Sequence, residues 1–123
     1  MTKCVVLWTS HKQSIIVSIT DGVERILHFE SKAKGRSKKT LRHELADYYR
    51  EVTHATHDAQ SIFIFGSAAA KMALKEELLA SGLPAHRIVG TELSERMTEQ
   101  QLVKATREVC GSLAAQQCKG EQT

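Results

Sequence analysis

Asp21-Gly22, set between Ser14 to Ile19 on one side and Val23 to Phe29 on the other, dictates an antiparallel strand pair near the start of this chain. Asp-Gly accepts the positive φ angles of a two-residue hairpin turn, and the β-branched residues before it favour an extended backbone. Val5 to Thr9 is a further apolar run, joined to Ser14 through the turn residues Ser10-His11-Lys12-Gln13. A three-strand antiparallel meander is the expected opening. In its third strand Val23, Arg25, Leu27 and Phe29 alternate with Glu24, Ile26 and His28.

After residue 40 the period changes. Leu41, Leu45, Tyr48, Tyr49 and Val52 recur every three or four positions, the mark of an amphipathic helix. Ser37 or Thr40 is placed to cap it, and it fades in the polar stretch Thr53 to Gln60. Ser61 to Phe65 has the unbroken apolar character of a strand buried on both faces. Gly66-Ser67 leads into a helix from Ala68 to Ala80, which Gly82 and Pro84 end. Arg87 to Leu93 makes a fifth strand, and Thr98 with Gln101 forms a capping box before a last helix bearing Leu102, Thr106, Val109, Cys110 and Leu113. The order βββαβαβα implies an α/β fold with one mixed five-stranded sheet and three helices, the ribonuclease H-like arrangement.

A chain of 123 residues that is 41% hydrophobic suits one core. We expect one domain over residues 1–113 and a flexible tail over 114–123. No apolar run approaches the roughly 18 residues of a membrane span, and MTKCVVLWTS lacks the long apolar stretch of a signal peptide, so a cytoplasmic protein with no membrane contact is expected. Cys4, Cys110 and Cys118 are odd in number and share no C-x-x-C spacing. Reduced thiols are the expectation, with Cys4 and Cys110 as small buried hydrophobes.

Charge is unevenly distributed. Residues 31–43 hold Lys32, Lys34, Arg36, Lys38, Lys39 and Arg42 and no acid. Removing these six from the 17 Lys and Arg leaves 11 against 14 acids, so the rest of the chain is net −3. Cations at a helix N-terminus oppose the macrodipole, so their concentration there points to a use beyond stability. Contact with a polyanion is that use, and without aromatic residues in the segment it would be contact with phosphates rather than bases.

Other chemistry is less well supported. Magnesium-dependent nucleases of the ribonuclease H-like type hold two ions about 4 Å apart on several carboxylates, including one in the first strand. Cys4 to Thr9 has no acid, and Asp21, Glu30 and Asp58 fall in a turn, at a strand end and before the fourth strand. His54 and His57 with Asp58 have a metal-like spacing without a further ligand nearby, so no metal or other cofactor is expected. Gly66, Ser67 and Lys71 stand at a strand-to-helix turn that could receive an anion, although Ser67 as a helix cap is the simpler role.

Ile62-Phe63-Ile64-Phe65-Gly66, followed by Ala70-Lys71 and Leu74 and then by Met97-Thr98 with Gln101, Val103, Arg107 and Glu108, resembles a bacterial family of small translational machinery proteins. These are similar to the central domain of class-1 release factors and to the rescue factor Pelota, and the resemblance runs from Val5 to Val109. It implies a translation-associated role. The family's Gly-Pro-Gly-Glu-Ala-Lys is here Gly66-Ser67-Ala68-Ala69-Ala70-Lys71, matching at Gly66, Ala70 and Lys71. The position of the release factors' catalytic Gly-Gly-Gln is filled by Lys34-Gly35-Arg36-Ser37-Lys38-Lys39. The expectation is therefore a non-catalytic domain that binds ribosomal or transfer RNA, or the ribosome, through its basic loop. A protein-interaction module that forms a homodimer or docks through a helix face or the meander edge is the first alternative, and a metal-dependent nuclease the second.

Overall fold

The computed structural model describes the backbone of residues 3–30 and 38–121, and the side chains of residues 3–30 and 46–112. Strands β1 (Lys3–Thr9), β2 (Gln13–Thr20) and β3 (Val23–Glu30) are followed by helix α1 (Lys38–Thr56), β4 (Ser61–Gly66), α2 (Ala68–Ala80), β5 (Ile88–Leu93) and α3 (Glu99–Glu121). They form one mixed sheet in the order β3-β2-β1-β4-β5. β1 is antiparallel to β2 and parallel to β4, which is parallel to β5. The α/β architecture and the order βββαβαβα are those expected from the sequence.

Local chemistry accounts for the elements. Asp21 and Gly22 have φ of 51° and 83° and close the β2–β3 hairpin with Thr20 opposite Val23. Thr98 N–H donates to Gln101 Oε1 at 3.0 Å while Gln101 N–H donates to Thr98 Oγ1 at 3.2 Å, the reciprocal capping box. α3 then runs on to Glu121, past the point near Leu113 where the apolar pattern ends.

Successive strand residues point to opposite faces, so the sheet feeds two cores. Val5, Leu7, Ile16, Ile62 and Ile64 pack under Tyr48, Tyr49 and Val52 of α1 and Leu74 and Leu78 of α2. Val6, Trp8, Ile15, Val17 and Phe65 pack under Leu102 of α3. β3 is different, because it stands at the sheet edge and only Phe29 reaches a core. No helix among the described residues is long and apolar enough to cross a membrane.

The cysteines overturn the expectation of reduced thiols. Cys4 and Cys110 form a disulfide across 106 residues, joining β1 to α3. Cys4 shares a sheet face with Val6 and Trp8, the face α3 covers, and the helix brings Cys110 against it. Chain spacing carries no signal of a pair made by tertiary packing. Reduction with dithiothreitol is expected to cost about 2–4 kcal/mol of stability, read as a lower urea midpoint. Equal midpoints with and without reductant would show that the bond does not form.

Candidate nucleic-acid interface

The three parallel strands end at Thr9, Gly66 and Leu93, which lie side by side in register. Gln13 and Glu30 pair at the same end of the sheet, so the basic segment leaves β3 from the carboxyl edge of the parallel strands. Open α/β sheets place ligands outside that edge. Lys38, Lys39 and Arg42 fall in the first turns of α1, which has no acidic residue in its first turn. Lys32, Lys34 and Arg36 lie outside the described residues, as do the side chains of Lys38, Lys39 and Arg42.

Two adjacent tyrosines fix α1 over this edge. Tyr48 Oη donates to Ser10 O at 3.1 Å and bonds the Ser14 hydroxyl, which is 2.8 Å from Thr9 Oγ1. A relay Thr9 to Ser14 to Tyr48 to the Ser10 carbonyl satisfies every hydroxyl in this buried row. Tyr49 Oη meets His11 Nδ1 at 2.9 Å, on the same β1–β2 turn. Burial pushes both phenols above their ordinary pKa. The sequence pattern showed the tyrosines as core residues but gave no sign of their polar partners, which sit 34 to 38 residues away. Tyr48→Phe should cost about 1–2 kcal/mol in thermal or urea unfolding, because it removes one partner of the buried Ser14 hydroxyl and the donor to the half-buried Ser10 carbonyl. A variant as stable as the parent would refute the relay.

The other carboxyl-edge feature is the β4–α2 turn. Ser67 Oγ accepts the Ala70 N–H at 3.4 Å, and Ser67 O accepts the Lys71 N–H at 2.9 Å. Ser67 is thus used as the helix cap. Gly66 sits against the Thr9 backbone and sends its carbonyl to Ser94 N–H at 3.0 Å. Three strand spacings, about 14 Å, separate this turn from the end of β3. The end of β3 and the β4–α2 turn therefore share one edge of the sheet, three strands apart.

The remaining candidates are scattered. His54 and His57 stack with centroids 5.4 Å apart, and the His57 Nδ1–H donates to His54 O. Asp58 pairs with Lys3 Nζ at 2.9 Å, and that ammonium holds its carboxyl below the usual range. Both features lie beside the start of β1, at the opposite end of the sheet from the last residue of β3. Asp21 is in the hairpin turn and Glu30 at the far end of β3. Among the described residues no three metal-ligating side chains come together.

No protein family matches the chain, and no curated protein does. Solved structures do. The Pelota protein of Thermoplasma acidophilum aligns with a TM-score of 0.61 at 16% identity, over 84% of this chain and 31% of its own. Pelota of Archaeoglobus fulgidus gives 0.57 at 11%, over 98% of this chain and 37% of its own. An archaeal translation termination factor gives 0.53 at 9%, over 97% of this chain and 42% of its own. The chain thus spans between about a third and two fifths of these neighbours' lengths. In fold, it is similar to part of Pelota and of an archaeal translation termination factor.

Proposed function

We propose that this is a non-catalytic, translation-associated domain of the ribonuclease H-like type that binds RNA or the ribosome through Lys32, Lys34, Arg36, Lys38, Lys39 and Arg42. The observation that carries the reading is the position of these six cations. In the sequence they run from just after β3, whose last residue lies at the carboxyl edge of the parallel strands, into the first turns of α1, on a chain otherwise net negative. The fold shared with Pelota and a translation termination factor supplies the translation setting. The absence of Gly-Gly-Gln from the sequence favours binding over peptide release.

Co-sedimentation with ribosomes at rising salt tests this. Binding at low ionic strength that falls steeply with salt is the expected result, since phosphate contacts release counterions. Failure to bind ribosomes or RNA at low salt would overturn the proposal. The exposed edge of β3 favours a second reading, a protein-interaction module. A partner retained after nuclease treatment would support that reading over the first.

A further inference from the structure

β3 ends the sheet, and no strand pairs with its outer side among the described residues. Val23 (57% exposed), Ile26 (41%) and Leu27 (45%) make it the most apolar exposed stretch described. A strand edge of this kind recruits another strand unless charge prevents it. Here hydrogen-bond parity and charge together decide which strand fits.

Thr20 and Val23 close the two-residue turn, and such a closing pair exchanges both hydrogen bonds. Alternation along the ladder then turns the N–H and C=O groups of Val23, Arg25, Leu27 and Phe29 towards β2. Those of Glu24, Ile26, His28 and Glu30 point outward. A second copy of β3 must pair outward residues with outward residues, through a two-fold axis normal to the sheet and passing through one residue.

Charge selects among these registers. An axis through Arg25 sets that arginine against itself, and one through Leu27 sets Glu24 against Glu30. An axis through His28 places Glu30 on Ile26. An axis through Ile26 places Glu24, which Arg107 of its own chain holds at 2.7 Å, opposite His28 of the second copy, itself bonded to Glu99, twice by symmetry, with Ile26 on Ile26 between them. On the other face it sets Val23 opposite Phe29, and Leu27 against the aliphatic stem of Arg25. This register sets no like charges face to face, and apolar groups directly across a ladder are favourable.

We propose that β3 pairs antiparallel with β3 of a second copy about a two-fold axis through Ile26, joining two five-stranded sheets edge to edge. This goes beyond the translation reading and does not rest on it. One strand pair is a small interface, so the dimer is weak and concentration-dependent.

Sedimentation equilibrium up to about 1 mM protein, with amide hydrogen exchange at both ends of the range, is the test. The amides of Glu24, Ile26 and His28 should gain protection as concentration rises, whereas those of Arg25 and Leu27 are protected throughout. Ile26→Lys, at an exposed edge position where folding is preserved, sets two ammonium groups against each other on the axis. It should raise the dissociation constant at least about tenfold. A monomer at all concentrations overturns the proposal. So does a dimer insensitive to Ile26→Lys, or one that leaves the three outward amides unprotected.

Discussion

Gly66→Ala is expected to destabilise this protein more than any other single exchange of one small residue for another. Gly66 has φ of +153°, and a Cβ built there lies 2.1 Å from Thr9 O and 3.1 Å from Thr9 C. Both atoms are backbone, in the strand between β2 and β4, and Thr9 is fully buried. Neither partner can step aside without breaking the β1–β4 register or the Ser94 N–H bond to Gly66 O. The cost should be at least about 4 kcal/mol, a large part of the 5–15 kcal/mol that holds a typical domain folded. Urea unfolding of the purified variant measures it, and failure to accumulate soluble protein is the extreme outcome. Gly22→Ala is the control. Gly22 has φ of +83° with nothing within 4 Å, so only backbone strain of about 1 kcal/mol applies. Equal effects at the two glycines would mean that β4 does not approach Thr9 as described.

Gly66 also shows what a sequence can disclose. As the residue between an apolar strand and a helix of strong formers it reads as a turn, yet its necessity comes from Thr9, 57 positions earlier. The elements that were legible rest on neighbours in the chain: the Asp21-Gly22 hairpin, the Thr98–Gln101 capping box and the Ser67 cap. Those that were not legible rest on distant partners. Cys4 finds Cys110, and Tyr48 finds Ser14, only once strand order is set. β3 carries the same apolar alternation as a covered strand, but strand order puts it at the edge and leaves most of it in solvent. The basic segment was legible as charge alone, since six cations free of acids need no tertiary partner to be recognised.

Neutralising that segment, with Lys32, Lys34, Arg36, Lys38, Lys39 and Arg42 all changed to Gln, should remove the salt-dependent part of RNA binding almost completely. Each phosphate contact contributes about −0.9 to the slope of log affinity against log salt on duplex nucleic acid and about −0.7 on single strands. Six contacts therefore give a slope of about −4.2 to −5.4, and a loss of roughly 300- to 1,800-fold in affinity between 50 and 200 mM salt. The full variant should lie near zero slope. Changing Lys32, Lys34 and Arg36 alone, or Lys38, Lys39 and Arg42 alone, should each remove about half, because separate phosphate contacts add. Unfolding would not mimic this outcome. Lys38 and Lys39 oppose the α1 dipole, so their loss should raise stability by a few tenths of a kcal/mol each, and the variant's melting temperature would not fall. A variant that keeps the parent slope would assign binding to another surface. A slope that drops only with Lys32, Lys34 and Arg36 would place the contact on the connection before α1 rather than on the helix.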